Sequence, residues 1–417
     1  MRIGFFDSLI KRWKLICSEP YQKIKPRNKT KEIRMSKIDK IREELEELEE
    51  QTLAAYATKV KNTRGRKIAA KKHPYRTEFQ RDRDRIIYNS AFRRLEEKTQ
   101  VFYDLHANYF RTRLTHTIEV AQTARVTAIA LKLNPDLAEA IALAHDIGHP
   151  PFGHLGEELL KKLVLENADS DEKVGFEHNL QGLRIVDFLE ERYPDFFGLN
   201  LTFEVRRGIA KYELYYAGEE EKFRELFAVP KTLEAVLVDI CDRISYLAHD
   251  LEDGLIAGFI THKLIAHQPL IQIVVEKTGF DYASLPQELG FYLLCRDFKN
   301  YLVSEFLRES AKRLESWKPD SAREPQYYLA FPETLDKQVD EFYEFLYDHF
   351  YMEPAFKDVI RENSKVMKEL FYYYLDNPQM LNSDKHSRPL VRRVCDYLAS
   401  LTDRSIIQLH KTTFGNR

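Results

Sequence analysis

Glycine is scarce in this chain, with fifteen among 417 residues, which leaves little material for the tight turns of a sheet-rich protein. Cysteine is scarcer. Cys17, Cys241, Cys295 and Cys395 lie far apart and form no Cys-x-x-Cys pair. That spacing excludes a disulfide framework and a thiolate metal site, and it suits a reducing cytoplasm. No apolar run approaches the roughly 20 residues of a membrane helix, so stable membrane insertion is not expected. Charge of one sign is also lacking: the formal net charge is −2, and no global basic field argues for nucleic acid. The balance is uneven along the chain, because residues 1–34 carry ten Lys/Arg against three Asp/Glu. The opening "MRIGFFDSLIKRWKLI" is interrupted by Asp7, Lys11 and Arg12, so it lacks a signal-peptide core. It reads as an N-terminal helix or arm, with an amphipathic membrane-surface helix as the other reading.

What is plentiful is helical periodicity. Apolar residues recur at steps of three and four almost throughout, which with the few glycines predicts an all-α fold. Residues 36–60 form a charged helix pattern around Ile38, Ile41, Leu45, Leu48 and Leu53. The basic, broken stretch 61–74 reads as a linker. Residues 113–133 predict a helix with Leu114, Ile118, Ala121 and Ile129 on one face. Asn134-Pro135 supplies an N-cap and a first-turn proline for the next helix. Residues 232–255 predict a third helix, with a seam of Leu233, Leu237, Ile240, Ile244, Leu247 and Leu251. Prolines mark 318–332 as irregular, and "RPLVRRVCDYLASLTDRSI" reads as one further helix. The dense charges of "RDRDR" (81–85) with Arg93-Arg94 read as an ion-pair network.

The chemistry concentrates in "HDIGHPPFGHLGEE", residues 145–158. Neighbouring helix residues point about 100° apart, so His145 and Asp146 can serve one ion only near a helix end. The Gly-His-Pro-Pro-Phe-Gly bend supplies that end. The helix at 232–255 carries Asp239, Asp242, Tyr246, His249 or Asp250, and Asp253 opposite its seam. A lone histidine is usually structural. His116 together with His145, Asp146 and Asp242 makes two imidazoles and two carboxylates from three helices. Such a set suits Mn, Fe, Co, Ni or Zn, with Mg at a second position, and it leaves coordination positions open.

These residues resemble the His…His-Asp…Asp signature of the HD-domain phosphohydrolases. The words "DRDRIIYNSAFRRLEEKTQV", "RTRLTHTIEV", "HDIGHPPFGHLGEE", "FEHNLQGLRIV" and "DRISYLAHDLEDGL" are similar to one branch, the dGTPase-like deoxynucleoside triphosphate triphosphohydrolases. The likeness spans roughly 76–255, with a weaker match in "VCDYLASLTDR". It implies an all-α HD-domain bundle with additional C-terminal helices. Residues 1–75 would be a basic arm and charged helix, 76–255 the phosphohydrolase core, and 256–417 helices completing the nucleotide pocket and oligomer contacts.

The resemblance further implies hydrolysis of a dNTP to deoxynucleoside and tripolyphosphate. The metal ligands would be His116, His145, Asp146 and Asp242. His149 would contact the phosphate beside the scissile bond, His154 would act as general acid with Glu157 orienting it, and His178 would help close the site. Arg113 and Arg243 would hold phosphate oxygens, Gln100 and Asp250 would read the sugar 3′-hydroxyl, and Tyr246 would pack under the deoxyribose. A homo-oligomer is implied, and some relatives take a dNTP or single-stranded DNA as activator. Two rival classes stand beside this reading. One is an HD-family phosphodiesterase acting on a cyclic or signalling nucleotide. The other is a nucleic-acid-binding regulator using 1–34 and 61–73, where thin aromatic interleaving (Phe5, Phe6, Trp13, Tyr21) weakens the case.

Overall fold

The computed structural model describes residues 37–100, 111–168, 175–210, 220–318, 324–351, 357–381 and 388–415. The basic N-terminal stretch, Cys17 and residues 319–323 lie outside them. Among the described residues every regular element is helical, and pairing of β type is limited to isolated bridges of Arg66 with Thr202 and Thr99 with Thr112. The all-α expectation holds. No described helix is long and apolar enough to cross a membrane, and Cys241, Cys295 and Cys395 are buried free thiols.

The first helices are α1 (Ile41–Thr52) and α2 (Glu78–Ile87). The pattern over 36–60 predicts a longer α1 than forms. Glu49 accepts a hydrogen bond from the Val60 backbone N–H at 2.8 Å, and Leu53 is extended, so the chain turns back after Thr52. Residues 61–74 are anchored rather than free. Arg66 pairs with Glu78 and Asp82, while Thr63 donates to Glu204 at 2.6 Å. α2 begins at Thr77, whose side chain and that of Gln80 cap each other's backbone N–H, as a reciprocal box requires. Its alternating charges form the expected network, with Arg81 on Glu78 and Arg83 on Glu139.

Helices α3 (Arg113–Ala130) and α4 (Pro135–Ala144) pack closely. Thr112 caps α3, and Asn134 caps α4 through the N–H groups of Asp136 and Leu137, with Pro135 in the first turn. The packing face of α3 differs from the one its branched residues predict. Ile118 and Ile129 are 51% and 57% exposed, whereas His116, Thr117, Val120, Ala124, Thr127 and Ala128 are buried. Small alanine and threonine side chains admit α4 at close range, and large isoleucines on that face would hold it off.

Next come α5 (Gly153–Asn167), α6 (His178–Arg184), α7 (Leu233–Ile256), α8 (Gln287–Leu314) and α9 (Glu333–Leu346). The seam of α7 is buried as its spacing predicts, with Ile240 half-buried. Three helices close the chain: α10 (Lys357–Asp376), α11 (Leu390–Ala399) and α12 (Asp403–Phe414). The single C-terminal helix read from the sequence is therefore two. Thr402 and Ser405 cap each other and restart the helix.

Apolar side chains gather in two cores. The larger runs through α2, α3, α4, α7, α8 and α9, without a break at residue 255. The smaller joins Phe152 and α5 to α10, α11 and α12. The loop between α4 and α5 lies at the junction of the two.

Candidate metal centre

Three helices deliver the central side chains. His116 sits in the first turn of α3, His145 caps the C-terminus of α4, Asp146 follows it, and Asp242 lies in α7. The helix end makes the His-Asp pair usable. The His145 backbone is still helical, while the chain turns beneath it as His149 N–H bonds to Asp146 O at 3.1 Å. His116 Nε2 is 3.1 Å from Asp242 Oδ1. His145 Nε2 is 3.3 Å from Asp146 Oδ1 and 3.5 Å from Asp242 Oδ1. Ligand atoms of His116, His145 and Asp146 all lie within 4.8 Å of one another.

The donor chemistry fits a cation. His145 Nδ1 is 2.6 Å from the Ala142 carbonyl oxygen, which can only accept, so Nδ1 carries a hydrogen, and in the neutral ring that binds a cation Nε2 is the bare nitrogen. Nε2 then directs a lone pair toward two carboxylates. Nitrogen and oxygen lone pairs at such distances repel unless a positive charge lies among them, and a borderline divalent ion suits that set of donors. The ordinary ligands of such an ion are neutral imidazole and ionised carboxylate. Burial alone raises the Asp146 carboxyl, yet the positive charge facing it, from His145 when protonated and from Arg113, outweighs burial and holds it well below the usual carboxylate range.

Arg113 is fully buried and commits one nitrogen to Asp146 Oδ2 at 2.9 Å and another to the Gln100 carbonyl at 3.3 Å. Its Nε has no acceptor among the described residues. Arg243 turns elsewhere, to Asp336 at 2.7 Å and Asp340 at 2.5 Å on α9, with its guanidinium over Phe331.

A histidine cluster adjoins these four residues. His149 is buried, its Nε2 is 3.7 Å from Asp146 Oδ1, and its ring meets that of His178 edge-on at 3.7 Å. Burial first, then Arg113 and His178, depress its pKa well below the usual value, so it is a neutral ring. Glu157 Oε1 accepts from both the backbone N–H and Nδ1 of His178 at 2.8 Å. Its Oε2 is 3.7 Å from His154 Nδ1, and the His154 side chain is 69% exposed. Burial opposes ionisation of Glu157, but His178 and His154 outweigh it and keep the group anionic. Glu157 thus holds His178 more closely than the His154 it was expected to orient.

Along α7, Asp242, Tyr246 and Asp250 follow at steps of four and share one face. The Tyr246 ring meets Tyr343 edge-on at 5.8 Å. Asp250 is buried and accepts the Tyr351 hydroxyl on Oδ2, while its Oδ1 has no partner among the described residues. Burial lifts its carboxyl to about 8. Gln100 Oε1 is another buried acceptor without a partner among those residues.

Several contributors were given no role by the sequence reading, which placed His249 only as an alternative to Asp250 on the polar face of α7. His249 Nδ1 is 3.1 Å from His116 Nδ1, and its Nε2 is 2.5 Å from Glu119 Oε2. Burial holds His249 down to about 3. Glu119 falls to about 2, because His249 outweighs the opposing effect of burial. Both lie within one helical turn or so of recognised residues, which was the available signal. Lys98 and Asp403 had none. Lys98 is buried, donates to the His149 and Ala399 carbonyls at 2.5 and 2.9 Å, and is depressed by burial to about 7.

Residues 113–247 match the HD domain model, and residues 329–412 match the phosphohydrolase-associated domain model. The chain is similar to deoxyguanosinetriphosphate triphosphohydrolase-like proteins of several bacteria. With that of Bordetella pertussis it is 39% identical over 375 residues, covering 87% of this chain and 96% of the relative. With that of Neorickettsia sennetsu it is 40% identical over 383 residues, covering 87% and 98%. With that of Leptospira interrogans it is 36% identical over 390 residues, covering 89% and 98%.

Proposed function

This chain belongs to the deoxyguanosinetriphosphate triphosphohydrolase-like family of HD-domain phosphohydrolases, and from that premise we propose that it hydrolyses dNTPs to deoxynucleoside and tripolyphosphate. The observation that carries the reading is the convergence of His116, His145, Asp146 and Asp242, with Arg113 and the histidine cluster beside them. Those four residues would hold a divalent ion, which would polarise the α-phosphate as a Lewis acid.

The protein's own groups do the rest. Arg113 positions Asp146 and, through its Nε, offers a donor to an anionic oxygen. Neutral His149 lies beside the ligands, where it can contact the same phosphate. Water adds its oxygen to the α-phosphorus as the bond to the 5′ oxygen breaks, and that oxygen must gain a proton. His154, exposed on the first turn of α5 and beside anionic Glu157, delivers it. His178, held by Glu157 through Nδ1, closes the other side. The buried acceptors Gln100 Oε1 and Asp250 Oδ1 suit the sugar 3′-hydroxyl, and Tyr246 lies between Asp250 and the metal ligand Asp242 along the helix face. Arg243 is engaged by α9 and has no part in this reading.

Product analysis tests it. The purified protein with Mn or Mg is given each dNTP, singly and then mixed, and the products are separated by chromatography. Deoxynucleoside with intact tripolyphosphate is the expected outcome. Nucleoside monophosphate, diphosphate or no product from every combination would assign the site to another phosphoester.

A further inference from the structure

We propose that Glu119 and His249 are positioning residues that set the hydrogen placement of His116 and thereby the affinity of the site for its divalent ion. The inference deepens the metal-dependent reading above and rests on it.

The argument is one of hydrogen counting along a buried line. Glu119 Oε2 stands 2.5 Å from His249 Nε2, and a carboxylate only accepts, so that nitrogen carries the hydrogen. A neutral imidazole has one such hydrogen. His249 Nδ1 is therefore an acceptor, and the His116 Nδ1 at 3.1 Å must donate to it. His116 Nε2 is then left as a lone pair, 3.1 Å from Asp242 Oδ1 and on the side where the other ligands converge. With the opposite placement, Nε2–H would bond Asp242 and His116 could not be a ligand. Reversing the chain would also set a bare His249 Nε2 against the Glu119 carboxylate.

The surroundings favour a dedicated role. His249 has both ring nitrogens occupied and is 2% exposed. Glu119 is 40% exposed, yet it is fixed by Arg111 at 3.3 Å on its other oxygen, with Lys299 at 4.0 Å. Arg111 is itself held by Asp253 at 3.0 Å and by Glu252. An ordinary half-exposed glutamate on a helix would need none of these partners. Here they aim one carboxylate oxygen at the histidine behind a metal ligand. Outer-shell carboxylates of this kind also raise the basicity of the ligand in front of them.

Titration of the metal-free protein with Co2+ decides the matter, read as dissociation constant and as the visible ligand-field spectrum. Glu119→Ala should raise the constant about 10–100-fold and alter the spectrum, while leaving the melting point of the metal-free protein near that of the parent. Glu119→Gln retains an acceptor and should recover part of the loss. Glu369→Gln alters a comparable carboxylate–histidine pair, with His410 at 2.6 Å on the C-terminal helices, and should bind Co2+ as the parent does. Should Glu119→Ala fail to fold, Glu119→Gln against Glu369→Gln carries the same comparison. An unchanged constant in the Glu119 variants overturns the proposal, as does an equal loss in Glu369→Gln or a parent that binds no Co2+. Because Co2+ binding is read without substrate, failure of the dNTP assay would leave this result standing.

Discussion

Glu157 serves two histidines unequally. One oxygen receives both the backbone N–H and Nδ1 of His178 at 2.8 Å, while the other stands 3.7 Å from His154. A residue anchored through both its backbone N–H and its ring is held in place, whereas an exposed ring beside an anion is free to follow a leaving group. For that reason His154 is assigned the proton transfer and His178 the positioning of the pocket. His154→Ala should lower kcat by roughly 10²–10⁴-fold, the usual contribution of a general acid, with metal content unchanged. Steady-state kinetics alongside elemental analysis checks this. Parent-like turnover would pass the role to His178.

At the scale of the element, the α4–α5 loop has little freedom. Phe152 takes the left-handed conformation at φ 66°, and Gly153 follows at φ 57°. Gly148 is where the loop crosses α6. A Cβ there would stand 1.9 Å from the His178 carbonyl oxygen and 2.3 Å from the Gly182 nitrogen, which are backbone atoms that cannot swing aside. This crossing brings His149 and His178 edge to edge. Gly148→Ala should cost about 1–3 kcal/mol or more through overpacking and depress turnover by parting those rings. Urea denaturation measures the first effect, and a parent-like midpoint would refute the steric argument.

Over the whole molecule, the C-terminal helices brace the site although they supply none of the proposed metal ligands. Asp403, at the start of α12, accepts from the Thr99 backbone N–H and hydroxyl at 2.9 Å and from the Phe152 N–H at 2.8 Å. Lys98 spans the same junction between the His149 and Ala399 carbonyls. Arg184 of α6 grips Asp396 of α11 with two nitrogens, at 2.7 and 3.2 Å. Asp403→Ala leaves buried donors unmet, each at about 1–3 kcal/mol. It should lower the melting point and speed amide exchange across residues 148–153, with activity falling as well. Asp403→Asn keeps an acceptor and should restore part of both. Exchange mass spectrometry reads the loop directly, and unchanged protection in the alanine variant would show that the brace is dispensable.

The sequence by itself indicated most of the helices and, through its motifs, the candidate metal ligands, because helix signals and the His-Asp bend act locally. Asn134-Pro135 and the leucine seam of α7 act within a turn or two of chain. His145-Asp146 before a Gly-Pro bend announces a helix end on chemical grounds alone. The packing face of α3 was not legible. Branched residues ordinarily mark the buried side, and here close approach of α4 selected alanine and threonine instead, leaving Ile118 and Ile129 in the open. The end of α1 at Thr52 was hidden for a similar reason, since its cause is a hydrogen bond from Val60 to Glu49. Nor could spacing show that Arg243 is claimed by Asp336 and Asp340, that Glu157 belongs first to His178, or that Glu119 and His249 stand behind His116. Each is a pairing between side chains whose partners are chosen by distance in space. Hydrogen bonds and ion pairs act over about 3–4 Å, and only the tertiary structure brings residues 119 and 249, or 99 and 403, within that range.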